Sequence, residues 1–147
     1  MTPTDAGFDW HDYLELAREL SNPLFGDLLC EAKIRSSMSR SYYAAYWTAR
    51  VYLEAGGFTI TDKERPHELV WKEFKGKGKI KQGIFENGTR LKLDRVWADY
   101  ERDCHCRVGD AERSLLFAEC IIGGIRSLPA PRGGGAGSTQ APQAKST

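Results

Sequence analysis

The sequence predicts an all-α protein: an up-and-down bundle of four to five helices followed by a disordered C-terminal tail. Three observations support this prediction. Apolar residues recur at helical spacing, and Asn-Pro and Gly-Gly pairs separate the helical stretches. Residues 129–147 are rich in Pro, Gly, Ser and Ala and lack any large apolar side chain. We therefore expect one helical domain over residues 1–128 and a tail over residues 129–147 that cannot offset its ordering entropy.

The bulk composition is that of one soluble globular domain. The chain has 147 residues, of which 41% are hydrophobic and 28% are charged, enough to bury a core. No apolar run approaches the length of a membrane span, and the first residues lack a signal pattern. We therefore expect a cytoplasmic protein with no membrane association. Because the net charge is +1, any nucleic-acid binding must come from a local patch.

The first helix is predicted over residues 10–20, with Asp9 as its N-cap. Its inward-facing side chains should be Tyr13, Leu16, Ala17 and Leu20. The Asn22-Pro23 pair then ends this helix, because proline cannot continue the hydrogen-bond ladder.

The second helix should start near Phe25 or Asp27 and end at Gly56-Gly57. Residues 31–50 sort into an apolar stripe, a stripe of small side chains, and a stripe of arginines and aromatics, so this helix should run through the middle of the bundle. Arginines among aromatics need carboxylates, phosphates or a partner subunit. We predict that four of them lie at a dimer face or cleft wall: Arg40, Tyr43, Tyr46 and Trp47. The alternative is ordinary packing, with arginines that reach outward.

Pro66 suits the first turn of a short third helix over residues 67–75, which presents Leu69, Val70 and Phe74 as its apolar side chains. A flexible basic loop over residues 76–83 follows it. Its lysines can contact an RNA backbone, and the predicted contacts are Lys75, Lys77, Lys79 and Lys81. The alternative is a loop that only improves solubility.

The fourth helix is predicted over residues 84–104, although Asn87-Gly88 allows a later start at Thr89. Its expected core stripe is Leu93, Val96, Trp97, Tyr100 and Cys104, with Arg95, Asp99 and Arg102 on the opposite side. Taken alone, that charged side is explained more simply by ordinary helical salt bridges. Asp110 caps a fifth helix over residues 111–128, whose buried side should be Leu115, Leu116, Ala118, Ile121, Ile122 and Ile125.

The four cysteines are expected to be reduced thiols. The run Cys104-His105-Cys106 has poor spacing for zinc, because paired ligands are usually separated by two residues. We therefore expect no metal site, and we interpret Cys30 and Cys120 as small buried hydrophobic residues.

Three sequence elements together resemble one known family. Arg35-Ser36-x-x-Ser39-Arg40-x-Tyr42-Tyr43-Ala44-Ala45-Tyr46 lies on the second helix, His67 opens the third, and Arg95-x-x-Ala98-Asp99-Tyr100 lies on the fourth. These elements resemble HEPN domains, specifically the small stand-alone prokaryotic branch, and the similarity covers residues 10–128. The resemblance implies a bundle of four or five helices that forms a two-fold homodimer.

HEPN proteins often act as metal-independent endoribonucleases, either as toxins paired with a nucleotidyltransferase-type antitoxin or in antiphage defence. The resemblance therefore implies a protein that acts on RNA without a cofactor or metal. In such enzymes the ribose 2′-hydroxyl attacks the adjacent phosphate. An arginine stabilises the phosphorane, and a histidine that follows it on the same helix, with four to six residues between the two, moves a proton.

This chain lacks that arginine–histidine pair. The candidate catalytic residues are Arg95, Asp99, Tyr100 and, from another helix, His67, whose pKa should be lowered by the helix start. Tyrosine is a poor base at neutral pH. The alternative function is a non-catalytic HEPN module that binds nucleotide, RNA or a nucleotidyltransferase partner, with Tyr100 as a candidate acceptor of nucleotidylation. A third hypothesis is a purely structural helical adaptor.

Overall fold

The structure is a computed structural model that describes residues 7–103 and 105–131. Over these residues the chain forms α1 (His11–Leu20), α2 (Cys30–Ala55), α3 (Pro66–Lys72), α4 (Lys79–Tyr100) and α5 (Val108–Ser127). The described residues form no β-strand, which confirms the predicted all-α bundle. Residues 132–147 of the predicted tail lie outside the described residues.

α2 lies at the centre of the bundle, because each of the other helices packs against it. Its small-residue stripe is buried, with Ser37, Ser41 and Ala44 fully covered. Ser37 Oγ donates to the carbonyl of Ala17 on α1 at 2.7 Å, a close approach that a larger side chain would prevent. The prediction that this helix runs through the middle is confirmed.

α1 begins at His11, and Asp9 supports its start, because Asp9 Oδ1 accepts a hydrogen bond from the His11 backbone N–H at 2.9 Å. The buried side of α1 differs from the prediction. Leu14 and Ala17 are buried, whereas Leu16 is exposed. A ten-residue helix has so few turns that its apolar pattern does not fix its rotation.

α2 begins at Cys30 rather than near Phe25 or Asp27. Gly26 has a φ of +84°, and Asp27 Oδ1 accepts from the Leu29 backbone N–H at 2.8 Å, so these residues form a turn. The turn leaves several large apolar side chains exposed: Leu24, Phe25, Leu28 and Leu29.

α3 ends at Lys72, and Phe74 is buried from the turn beyond it. α4 begins at Lys79, inside the segment predicted as a loop, because Gly78 has a φ of +102° and makes the turn. α4 also continues through Asn87-Gly88. Gly88 is a point of close approach rather than a break, because a Cβ atom there would lie 2.2 Å from Cε3 of Trp71.

Most of the predicted core stripe of α4 is wrong, although Trp97 is partly buried against a core cluster that includes Ile34 and Met38. Leu93 is 62% exposed, Tyr100 is 74% exposed, and Val96 is exposed as well. The buried side of α4 consists instead of Ile84, Gly88, Leu91, Asp94, Arg95 and Ala98. The charged side therefore meets α2, where aromatic rings accept the Arg95 guanidinium. Cys104 lies outside the described residues.

α5 begins at Val108, and Asp110 caps it from the third helical position, where Oδ2 accepts from the Arg107 backbone N–H at 2.8 Å. Most of its predicted core is confirmed: Ala118, Ile121, Ile122 and Ile125 are buried. Leu116 is exposed and Leu115 is only partly buried, because the smaller Ala111 and Ser114 occupy the packed side.

Two of the cysteines differ from the prediction. Cys120 is exposed and Cys30 is partly buried, so neither is a fully buried core residue. None of the described helices combines the length and apolar content that crossing a membrane requires.

Candidate functional site

Tyr42 of α2 is the centre of a buried polar and aromatic cluster. Its hydroxyl accepts a hydrogen bond from Trp71 Nε1 at 3.1 Å and lies 2.8 Å from His67 Nδ1. An indole N–H can only donate, so the hydroxyl proton is left to be donated to His67 Nδ1. Burial raises the pKa of Tyr42, which keeps this proton in place. The imidazole proton is therefore assigned to Nε2.

His67 is half-buried beside the start of α3 and stacks on the Tyr46 ring, with 4.3 Å between ring centroids. Burial is the main cause that lowers its pKa to about 4, and the positive charges of Arg95, Lys92 and Arg50 act in the same direction. The predicted direction of this shift is confirmed, but its main cause is burial rather than the helix start. His67 is thus neutral at physiological pH.

Arg95 of α4 is 9% exposed and lies against α2. Its guanidinium carbon is 5.2 Å from the centroid of the Tyr42 ring and 5.5 Å from that of Tyr43. The Arg95 Nη1 to Asp99 Oδ2 distance is 3.6 Å, which is an ion pair but too long for a hydrogen bond. Arg95 Nε is buried and has no hydrogen-bond partner among the described residues.

A second arginine approaches the same aromatic ring from α2. The Arg40 guanidinium carbon is 5.2 Å from the Tyr43 centroid and 4.6 Å from that of Tyr13. Asp99 also accepts a hydrogen bond from Ser39 Oγ at 3.3 Å. Two arginines therefore meet at Tyr43, with Asp99 beside one of them, which favours an anion at this place.

The structure brings Arg95 and His67 together at Tyr42 and places Asp99 beside Arg95, but it leaves Tyr100 outside this cluster. Tyr100 is the last residue of α4, and its side chain extends into solvent. The predicted cleft residues Tyr43 and Tyr46 do contact this cluster: the Tyr46 ring stacks on His67, and the Tyr43 ring meets His67 edge to face. Trp47 instead stacks on Trp10 of the N-terminal segment, at 4.3 Å between ring centroids.

Arg50 is a structural residue of the site that the sequence did not reveal. It is buried, and it donates to the Ile60 carbonyl at 2.9 Å, to Asp62 Oδ1 at 2.9 Å, and to the Tyr46 hydroxyl at 3.1 Å. These bonds fix the segment between α2 and α3, and so they fix the position of His67. In the sequence, the only indication of this role was that Arg50 lies on the stripe of arginines and aromatics of α2.

A groove of about 770 Å³ lies between α3 and α4 and was also missed by the sequence. Its apolar lining consists of Leu69, Trp71, Phe85 and Leu93, and its cations are Lys63, Arg65, Lys72, Lys75 and Lys92. Two carboxylates, Glu64 and Glu68, complete the rim. The lining combines residues 63–75 with residues 85–93, whose proximity depends on Gly88 admitting Trp71.

Of the predicted RNA-binding lysines, Lys75 and Lys77 lie in the turn after α3, and Lys79 and Lys81 lie in the first turn of α4. Lys75 also lines the groove, where its ammonium is 5.5 Å from the centroid of the Phe85 ring. Lys77 forms a salt bridge of 3.1 Å with Glu73, which partly neutralises the charge of its ammonium group. The four lysines thus form a basic corner rather than a loop.

Comparison with known proteins gives no match among family models, curated proteins or solved structures.

Proposed function

We propose that this chain is a HEPN-like module that binds RNA in the cytoplasm and that Arg95 recognises a phosphate of that RNA. The observation that carries the proposal is the state of the Arg95 guanidinium. It is nine-tenths buried, yet its Nε has no acceptor among the described residues and its carboxylate partner lies at 3.6 Å. A buried donor without an acceptor is costly. A phosphate oxygen would supply strong, charge-assisted acceptors.

The surroundings of Arg95 support an anionic ligand over a neutral one. Arg40 also lies against the Tyr43 ring, and the positive charge of Lys92 contributes to the lowered pKa of His67. The basic corner, formed by Lys75, Lys77, Lys79 and Lys81, adds cations that can follow a phosphate backbone. RNA carries phosphates at regular intervals along its backbone, so one RNA strand can contact both the arginines near Tyr43 and the lysines of the basic corner.

The geometry favours binding without cleavage. His67 Nδ1 is held by the Tyr42 hydroxyl, and an imidazole with a pKa of about 4 is a weak base. Tyr100 extends away from Arg95 and Asp99. The chain also lacks the arginine–histidine pair on one helix. These features support the non-catalytic alternative.

A metal-independent endoribonuclease is the second candidate function. The observation in its favour is that Arg95 and neutral His67 both lie against Tyr42, and that Asp99 forms an ion pair with Arg95. An arginine with open donors is suited to a phosphorane, and a neutral imidazole is in the protonation state of a base. The two candidates differ in one readout: only the second yields RNA products that disappear when Arg95 is replaced.

The test is titration of a fluorescent single-stranded RNA with the full chain and with Arg95→Ala, with the RNA products analysed in parallel. Loss of a charge-assisted contact should weaken binding by about tenfold or more. The matched control is Arg126→Ala, an exposed arginine on the last turn of α5, which should leave affinity unchanged within about twofold.

Because Arg95 is buried, thermal unfolding must show that the variant is folded. Arg95→Lys provides a second, milder change that keeps the charge and removes the planar fork, and it should also weaken binding. Equal affinity for RNA in the folded wild type and both Arg95 variants would remove Arg95 from RNA recognition.

A further inference from the structure

We infer that copies of this chain associate head to tail, with an apolar turn of one copy inserted between α3 and α4 of the next. The apolar turn lies between α1 and α2 and consists of Leu24, Phe25, Leu28 and Leu29. Its acceptor is the groove of about 770 Å³ described above. The inference does not rest on the proposed function, because Arg95 belongs neither to the apolar turn nor to the groove lining.

The apolar turn projects from the bundle with almost no cover. Phe25 and Leu28 are fully exposed, Leu24 is 82% exposed, and Leu29 is 61% exposed. Four large apolar side chains within six consecutive residues form a contiguous exposed patch, which in a folded domain marks a surface that associates with another molecule.

The backbone of the apolar turn is held in place before any contact forms. Gly26 has a φ of +84°, which lets the chain reverse direction, and the Asp27 N–H donates to the Leu24 carbonyl at 3.0 Å. Asp27 Oδ1 also accepts from the Leu29 N–H at 2.8 Å. Because the turn is already ordered, its insertion costs little conformational entropy.

The groove offers apolar surface of a size that suits a turn. Leu69 and Leu93 face it from opposite helices and are both exposed, and the partly buried Phe85 adds an aromatic ring. One wall is α3, which has seven residues and is therefore only about 10 Å long. Such a wall accommodates a tight turn but is too short for a partner helix of three or more turns.

The charges of the two surfaces are compatible. The groove has five cations and two carboxylates, and within the described part of the chain its four lysines form no salt bridge. Residues 22–31, which contain the apolar turn, include two carboxylates and no cation. Asp27 pairs with Lys33 and Glu31 pairs with Arg35. A carboxylate has about four acceptor positions, so each can also accept from a lysine at the groove.

The apolar turn cannot reach the groove of its own chain. Arg35 Nη1 donates to the Ala98 carbonyl at 2.9 Å, which marks the point where α2 passes the end of the antiparallel α4. Leu29 and Leu93 lie on opposite sides of this point, about 16 Å apart along the bundle at the rise of an α-helix. The contact must therefore join two molecules.

The two surfaces are different patches, so the contact is heterologous. Repetition of such a contact builds a ring or an open chain of copies, whereas a two-fold axis pairs one patch with itself. The inferred association is thus distinct from the two-fold homodimer that the HEPN resemblance implies.

The experiment follows the average mass of the full chain by sedimentation velocity at increasing protein concentration. We expect the mass of the wild type to rise with concentration. Phe25→Asp places a charge on the apolar turn and Leu93→Asp places one in the groove, so each should raise the dissociation constant by about tenfold or more. Both side chains are exposed, so both variants should fold, which thermal unfolding checks.

Mixing the two variants gives the sharpest readout. Phe25→Asp retains an intact groove and Leu93→Asp retains an intact apolar turn, so the mixture has one functional surface from each variant. We expect the mixture to associate with a dissociation constant within about twofold of the wild-type value, since the two sites are distant and independent. A contact related by a two-fold axis would not be restored in this way.

The matched control is Leu116→Asp on α5, because Leu116 is 62% exposed, as Leu93 is, but lies outside the groove. It should associate as the wild type does. Three results would each overturn the inference: a wild-type mass that does not change with concentration, equal weakening by Leu116→Asp, or a mixture of the two variants that stays as dissociated as each alone.

Two further outcomes would assign the surfaces to other occupants and would also overturn the inference. In the first, a wild type of constant mass binds a synthetic acidic, leucine-containing peptide, and Leu93→Asp abolishes that binding. In the second, a wild type of constant mass binds phosphatidylcholine vesicles, and Phe25→Asp abolishes that binding.

Discussion

At the scale of single residues, Tyr42 connects the parts of the site. Its hydroxyl links Trp71 to His67, and its ring faces the Arg95 guanidinium. Because burial raises its pKa, the hydroxyl remains a donor and holds the imidazole in one tautomer. Arg50 has a comparable role, since it fixes the segment that leads to His67.

The neutral state of His67 makes a testable prediction about stability. The unfolded chain binds a proton at His67 near pH 6.5, whereas the folded protein resists protonation until about pH 4. Between these values the unfolded state binds more protons, so the free energy of unfolding should fall as the pH falls through this window. Urea denaturation between about pH 7 and pH 5 measures the effect, above the range in which most carboxylates titrate.

The control for this prediction is His67→Phe, which keeps a flat ring stacked on Tyr46 and removes the titrating group. Its unfolding free energy should be less dependent on pH over the same range than that of the wild type. An NMR titration that gives His67 a pKa near 6.5 in the folded protein would contradict the burial argument.

At the scale of elements, α4 is the helix whose environment the sequence did not determine. Its apolar pattern predicted Leu93, Val96 and Tyr100 in the core, and these residues are exposed. A prediction from apolar spacing assumes that an arginine faces water. Here α2 presents the rings of Tyr42 and Tyr43, which bind the Arg95 guanidinium through cation–π contacts. A pattern within one helix carries no information about the face that a neighbouring helix offers.

Gly88 provides a prediction at the same scale. A Cβ atom there would lie 2.2 Å from Cε3 of Trp71, so Gly88→Ala must displace a buried indole that underlies the groove. We expect a loss of about 1–3 kcal/mol in unfolding free energy, the usual cost of overpacking. Gly123 on α5 is the matched control, because nothing lies within 4 Å of its Cβ position. Gly123→Ala should be neutral or stabilising, by up to about 1 kcal/mol.

Urea denaturation of both glycine variants gives the measurement. If Gly88→Ala were as stable as the wild type, the close contact between α3 and α4 would not exist as described. The groove between α3 and α4 would then lack the part of its lining that Trp71 supplies.

At the scale of the whole molecule, the helical class, the order of the helices and the central position of α2 could be predicted from the sequence. These features follow from local breaks and from the stripes of α2. The groove could not be predicted, because its lining joins two segments separated along the chain, residues 63–75 and residues 85–93. The homodimer and the nucleotidyltransferase-type partner stay predictions of the HEPN resemblance.

The whole account depends on Arg95 receiving a phosphate. The most direct measurement follows the NMR resonances of the Arg95 guanidinium during titration with single-stranded RNA, with Arg95→Lys identifying the signals by their loss. We predict that the Nε–H resonance shifts and that its exchange with water slows as RNA saturates the protein, because the buried donor gains an acceptor. An Nε–H resonance that stays unchanged at saturating RNA would contradict the account.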